Sequence, residues 1–124
     1  MSDLIFLKKS PHAGELFYCE YKVRFSRELD VPGMFFLTCG ALYVNEVSFI
    51  NDNDFGEKSE NLAHLEEFLS QMIPKKNPVE HGLELASLLL RVEEIIHNFP
   101  SYSIGSDVSM GVSSNEPLLS LAAS

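Results

Sequence analysis

The longest repeating pattern of apolar residues runs from Asn77 to Phe99 and has the spacing of an amphipathic helix. Asn77 is a suitable N-cap, and Pro78 fits the first helical position. Pro100 ends the helix, because the residue before a proline is disfavoured in the helical region. The expected buried stripe contains Leu85, Leu88, Leu89, Val92, Ile96 and Phe99, widened by Val79, Leu83, Ala86 and Leu90. The expected solvent side carries Glu80, Glu84, Ser87, Arg91, Glu94 and Asn98.

A second apolar repeat predicts a shorter helix from Glu60 to about Ile73, with Ser59 as its N-cap. Its stripe consists of Leu62, Leu65, Phe68, Leu69, Met72 and Ile73. Pro74-Lys75-Lys76 breaks this helix and leads into Asn77. The short connection predicts a helical hairpin.

Strand patterns occupy four segments of the chain: 4–8, 16–28, 34–50 and 102–112. Together with the helical hairpin they predict an α+β fold, in which an antiparallel sheet of about 4–5 strands packs on the two helices. We expect one domain spanning 1–124. A short terminal helix is expected at Leu118–Ala122, with Ser114 as its cap.

The clearest strand pattern runs from Leu16 to Leu29, where apolar and polar residues alternate. The residues expected on its buried face are Phe17, Cys19, Tyr21, Val23 and Phe25, with Tyr18, Glu20, Lys22 and Arg24 exposed. Val31-Pro32-Gly33 predicts a turn after it. Met34–Cys39 is apolar at almost every position, which favours a strand covered on both faces. Because Gly40 interrupts this run, 34–50 is either one bulged strand or a hairpin.

Acidic residues outnumber Lys and Arg by 18 to 9, which gives a formal net charge of −9. The excess is concentrated in 46–73, which contains one base, Lys58, and seven acids: Glu46, Asp52, Asp54, Glu57, Glu60, Glu66 and Glu67. Direct nucleic-acid binding is not expected, because it requires clustered Lys and Arg. We expect the seven acids to contact a basic protein partner, with solubility as the simpler alternative.

Composition favours a cytoplasmic protein. Cys19 and Cys39 fall on strands that we expect to pair, and both thiols are expected to be buried and reduced. No apolar run approaches the roughly 18–20 residues of a membrane span. No positive charge precedes Leu4, so a signal peptide is not expected either.

Two patterns resemble metal sites, and neither meets the requirements of one. Asn51–Glu57 has the polar spacing of a calcium loop, but Phe55 occupies a ligand position and Leu62 stands where a glutamate is required. Glu94-Ile95-Ile96-His97 matches the Glu-x-x-His pair of a di-iron site, which needs a second copy of the pair and two further glutamates. The chain has no Gly-x-Ser-x-Gly elbow, phosphate loop or Cys-x-x-Cys pair. We therefore expect no catalytic residue, no metal and no cofactor.

A small acidic protein without an apparent chemical site is typical of proteins that bind another protein. The first expectation is a bacterial immunity protein that neutralises a basic toxin, such as a nuclease, as a monomer or homodimer. The alternative is a secretion chaperone of the type III kind, in which the serine-alternating strand 107–113 offers an edge for strand addition. A small enzyme with a dispersed site is the third possibility.

Overall fold

A computed structural model of the protein describes residues 2–27, 34–41, 44–56, 59–74 and 77–112. Within these ranges, six strands form one antiparallel sheet in the order β5-β4-β3-β2-β1-β6. The strands are β1 (Ser2–Ser10), β2 (Ala13–Tyr18), β3 (Tyr21–Arg27), β4 (Met34–Ala41), β5 (Val44–Asn51) and β6 (Asp107–Val112). The predicted α+β class is confirmed, but the predicted number of strands was too low.

Two α-helices in the described part of the chain are α1 (Glu60–Ser70) and α2 (Pro78–Asn98). Short 3-10 helices lie at Asp52–Gly56 and Phe99–Ser101. Both predicted N-caps are confirmed. The hydroxyl of Ser59 accepts from the backbone N–H of Leu62 at 3.0 Å, and the Asn77 side chain accepts from that of Glu80 at 2.9 Å. These bonds satisfy donors that have no partner within the first turn of a helix.

The predicted single strand from Leu16 to Leu29 is wrong, because the chain turns back within it. Tyr18 pairs with Tyr21 across a two-residue loop, whose first residue, Cys19, has a φ of 53°. Residues paired directly across a hairpin share one face, so the loop shifts the alternation by one position. The observed buried residues are Leu16, Tyr18, Val23 and Phe25, whereas Phe17 and Cys19 are exposed. On β2, the residues expected to be buried are therefore exposed, and the reverse. On β3, the expected burial of Val23 and Phe25 is confirmed.

The segment 34–50 forms a hairpin rather than one bulged strand. β4 and β5 pair along their whole lengths, from Met34 opposite Asn51 to Ala41 opposite Val44. This hairpin and the turn between β2 and β3 account for the additional strands. On β4, Phe35 and Leu37 are buried and Phe36 is half-buried, so the expected complete covering of both faces is wrong.

The predicted strand 102–112 begins later than expected, at Asp107. Tyr102 instead follows a 3-10 helix and places its ring 5.7 Å from that of Phe6, and Ile104 is exposed. The predicted turn at Val31-Pro32-Gly33 and the predicted helix at Leu118–Ala122 lie outside the described residues.

Both helices pack on the same face of the sheet, α1 against β5 and α2 against β6. We call α1 and α2 together the helical layer, and the sheet face on the opposite side the open face. The buried core lies between the two layers and centres on the Phe6 ring, which contacts Phe25 and Phe99 edge-on. Gly14 permits this packing, since a Cβ there would lie 2.5 Å from Cζ of Phe6.

Lys8 joins the two layers at the C-terminal end of α2. Its buried ammonium donates to the carbonyl of Phe99 at 2.8 Å and lies 4.8 Å from the centre of that ring. A cation is favourable at this position, because the last carbonyls of a helix lack intrahelical partners and carry partial negative charge.

The orientation of α2 differs from the predicted one. Its fully buried residues are Leu88, Val92, Ile95 and Ile96, whereas Leu85 and Leu89, predicted at the centre of the stripe, are half-buried. Glu84, which we expected in solvent, is only 2% exposed. Leucines surround much of this helix, so its periodicity identified a helix without identifying the side that meets the sheet.

Candidate functional site

The seven acidic residues predicted to bind a partner are distributed over three elements. Glu60, Glu66 and Glu67 lie on α1, where all three are exposed. Asp54 is half-buried in the first 3-10 helix. Glu46 lies on β5 and Asp52 in the same 3-10 helix as Asp54, with only their backbones described, and Glu57 is outside the described residues. The structure therefore brings together the three glutamates of α1.

Asp54 has a local structural role. One oxygen of its carboxylate accepts from the backbone N–H of Asn51 at 2.8 Å and from the side-chain amide of Asn61 at 3.4 Å. The first bond closes the turn at the end of β5, and the second reaches the first turn of α1. Because its carboxylate already stabilises this turn, Asp54 is a poor residue with which to test partner binding.

The outer surface of α1 is acidic and contains no Lys or Arg. Glu60 lies in the first turn, where the positive end of the helix dipole stabilises a carboxylate. Glu67 begins the last turn, where the same dipole is unfavourable, and Glu66 precedes it. Helix stability therefore accounts for Glu60, but it does not account for Glu66 and Glu67.

The outer surface of α2 differs from that of α1, because its first three turns are apolar. Four residues, which we call the α2 stripe, follow one another at intervals of four, three and four positions: Val79, Leu83, Ala86 and Leu90. Val79 is 72% exposed and Leu90 48% exposed. At about 100° per residue these four positions lie on one side of the helix, roughly opposite the buried residues. An amphipathic helix ordinarily carries polar residues there.

The last turns of α2 are polar and largely paired. Arg91 donates to the carboxylate of Glu94 at 2.9 Å and to the backbone carbonyl of Gly111 on β6, also at 2.9 Å. His97 lies 3.8 Å from the carboxylate of Glu93. Arg91 is the only Lys or Arg in the two described ranges that contain the helices, and the helices α1 and α2 themselves hold seven acids. The single base is thus already engaged.

The open face of the sheet has the opposite arrangement of charge. Glu15 on β2 is buried and forms ion pairs with Lys9 and Lys22, which lie on the neighbouring strands. These residues and Arg24 line an open hollow of about 330 Å³. Lys22 also lies 6.0 Å from the centre of the exposed Phe17 ring. The buried carboxylate of Glu15 is therefore compensated locally, by bases on both neighbouring strands.

One contact between the helices involves a hydroxyl and an imidazole. Ser70 at the end of α1 and His81 in the second turn of α2 are separated by 3.0 Å, and both are half-buried. A nucleophile and base pair has this geometry, but catalysis also requires a third group that orients the base. No ion pair of His81 is present among the described residues, and the bond serves to join the two helices. The pair was not predicted from the sequence, because its partners lie eleven residues apart on two helices and meet only in the folded protein.

The described side chains include no group of three or more His, Cys, Asp or Glu residues arranged to hold a metal ion. Neither described helix has the combination of length and apolar character that a membrane-crossing helix needs. The arrangement that remains is an outer surface on the helical layer with an acidic half and an apolar half. Comparisons of the chain with protein-family models, with curated proteins and with solved structures found no match.

Proposed function

We propose that the protein binds a basic protein partner through the outer surface of the helical layer and thereby neutralises it, as a bacterial immunity protein neutralises a toxin such as a nuclease. The observation that carries the proposal is the charge of this surface, where the described residues provide exposed carboxylates and one Lys or Arg, Arg91. Glu60, Glu66 and Glu67 are exposed on a helix without Lys or Arg, and Arg91 on the neighbouring helix is already paired.

Uncompensated surface carboxylates are suited to accelerating association. They attract a basic protein over distances comparable to the Debye length, which is about 10 Å at 0.1 M salt and about 3 Å at 1 M. Their contribution to affinity is largest where a carboxylate becomes desolvated against Arg or Lys, at roughly 2–5 kcal/mol for truncation of one partner of such a pair. Association by this mechanism is fast at low salt and slows as salt increases.

The first experiment isolates the partner from the native host on immobilised protein and measures association kinetics across salt concentrations. The test variant combines Glu60→Gln, Glu66→Gln and Glu67→Gln, which removes three exposed charges from α1. The control combines Asp3→Asn, Glu20→Gln and Asp107→Asn, which removes the same charge from exposed positions outside the helical layer. Asp54 is left unchanged because of its hydrogen bonds.

We expect the α1 variant to lower the association rate constant about tenfold at low salt and the control to change it little. The two variants should approach the wild type at high salt, where the field is screened. An acidic partner would overturn the proposal. Equal slowing by both variants would also overturn it, since only the net charge of the protein would then matter.

The chaperone remains the second candidate, and the position of β6 favours it. β6 lies at one end of the sheet and pairs with β1 alone among the described strands. An extended segment of another protein can add to such an edge. However, Arg91 already donates to the carbonyl of Gly111 on this strand. Ser109→Pro, which removes a backbone donor from β6, distinguishes the candidates: it should abolish binding by strand addition and leave binding to the helical layer intact.

A further inference from the structure

The α2 stripe has the residue spacing of a coiled-coil seam. Intervals of four, three and four positions between Val79, Leu83, Ala86 and Leu90 match the alternating a and d positions of a heptad repeat. The stripe extends over about three turns, or roughly 16 Å at 1.5 Å per residue. The small side chain of Ala86 at its centre permits another helix to approach closely. The stripe is thus shaped to receive a helix.

We propose that the α2 stripe binds an amphipathic helix of the partner, whose apolar seam is flanked by Lys and Arg. This inference rests on the proposed function for the charge of the partner, and it adds the element that the partner presents and the residues that hold it. The acidic surface of α1 accelerates the encounter, and the stripe provides the apolar contact that keeps the complex together.

The requirement for basic flanks follows from the charges around the stripe. On a helical projection Glu80 lies along one side of it and Glu93 follows its C-terminal end, whereas Glu94, on the same side as Glu80, is already paired with Arg91. Glu60, Glu66 and Glu67 add three further carboxylates on the same layer of the fold. A helix with Lys and Arg beside its seam can pair with these groups at the rim while its apolar residues are buried.

The same charges argue against a second copy of this chain as the occupant. Each copy would bring a helical layer with six acids that reach solvent and one base, so a symmetric contact would place like charges against each other. A basic helix replaces that repulsion with attraction. Electrostatics should therefore favour binding of a basic helix and oppose binding of a second copy. An experiment can determine which of the two applies.

The probe is a synthetic helical peptide of about 18 residues, with Leu at its a and d positions and Lys at most others. One control peptide carries Glu in place of Lys, and a second carries Ser in place of the seam leucines. The protein variant is Leu90→Gln, which removes an exposed apolar side chain and retains helix propensity. Its matched control is Ile104→Gln, because Ile104 is 55% exposed and lies outside the helical layer.

We expect the Lys peptide to bind the wild type and to shift the amide resonances of 79–97. Leu90→Gln should weaken binding about tenfold, which corresponds to about 1.4 kcal/mol, and Ile104→Gln should leave it unchanged. The Glu peptide should not bind, and the Ser peptide should bind more weakly than the Lys peptide. With the native partner, Leu90→Gln should mainly increase the dissociation rate, whereas the α1 variant mainly lowers the association rate.

Unchanged binding of the Lys peptide to Leu90→Gln would overturn the inference, as would equal binding of the Lys and Ser peptides. The proposed function would survive either result, provided that the α1 variant still slowed association of the native partner. If the Glu peptide bound as tightly as the Lys peptide, the partner helix would not need basic flanks, and the inference would be overturned. Sedimentation equilibrium measures the oligomeric state of the wild type and of Leu90→Gln. A wild-type dimer that Leu90→Gln converts to monomer would identify a second copy as the occupant and overturn the inference.

Discussion

The outer surface of the helical layer and the open face of the sheet border the same core. They differ in whether their carboxylates are paired with bases. On the open face, Glu15 is buried and paired with Lys9 and Lys22 on adjacent strands. On the helical layer, Glu60, Glu66 and Glu67 are exposed on a helix that contains no Lys or Arg. The open face pairs its buried carboxylate with bases on adjacent strands, whereas the exposed carboxylates of α1 have no Lys or Arg on their own helix.

This difference distinguishes charges that stabilise the fold from charges that are available to contact another molecule. A paired carboxylate such as Glu15 connects three strands, so the fold alone accounts for it. An unpaired carboxylate beside an apolar stripe contributes little to the isolated protein, and like charges on one helix are mildly unfavourable. The helical layer is therefore the surface that we propose for partner binding. The following changes test the comparison, beginning with the largest expected effect.

Leu88→Ala and Leu90→Ala compare the two sides of α2. Leu88 is fully buried, so its truncation should lower the free energy of unfolding by about 2–5 kcal/mol through lost burial and a residual cavity. Leu90 faces outward, so its truncation should change stability by no more than about 0.5 kcal/mol. Urea denaturation of both variants measures the difference. Similar losses would show that α2 does not present Leu90 to solvent.

Lys8→Met breaks the connection between the sheet and the helical layer. Methionine retains most of the packing but cannot donate to the Phe99 carbonyl, so we expect a loss of about 1–3 kcal/mol in the free energy of unfolding. Lys9→Met is the control, because the neighbouring Lys9 is exposed and its ion pair should be worth no more than about 1 kcal/mol. An equal effect of both changes in thermal melts would contradict the role assigned to Lys8.

Glu15→Gln removes the charge compensation of the open face. The variant should lose about 1–2 kcal/mol, less than the roughly 3–5 kcal/mol of a fully buried pair, because both lysines remain largely accessible to water. Glu66→Gln on α1, which removes an unpaired charge, should be neutral within about 0.5 kcal/mol. Chemical denaturation at low salt gives both values. A neutral Glu15→Gln would mean that the two surfaces do not differ as described.

The smallest effect concerns Tyr102, which lies between the sheet and α2. Burial raises the pKa of its hydroxyl above the ordinary value of 10.0, and the carboxylate of Glu94 raises it further. The folded state therefore holds this proton more tightly than the unfolded state. Its contribution to stability is complete below the unfolded pKa and is lost as pH rises through the folded pKa.

Tyr102→Phe isolates this contribution, because other groups also titrate at alkaline pH. The wild type should lose more stability than the variant between about pH 9 and pH 11. Unfolding free energies of both proteins at the two pH values provide the measurement. A parallel decline would show that the folded environment of Tyr102 does not favour its protonated form.

The sequence by itself determined the features that depend on neighbouring residues. Ser59 and Asn77 begin the two helices as predicted, because an N-cap satisfies backbone donors within one turn. The excess of carboxylates in 46–73 was also apparent, since charge per segment does not depend on the fold. The α+β class followed from where the helical and alternating patterns occur.

Only the tertiary structure decided which side of each element is buried. Tyr18 pairs with Tyr21 across a two-residue loop that contains no glycine, and this turn reversed the expected burial on β2. Glu84 is buried and Leu90 exposed because α2 must meet both the sheet and α1, whereas its leucines would permit several orientations. Local sequence patterns indicate which conformation a segment prefers. The burial of each side depends on contacts between distant segments, such as that of Lys8 with Phe99, and these contacts exist only in the folded chain.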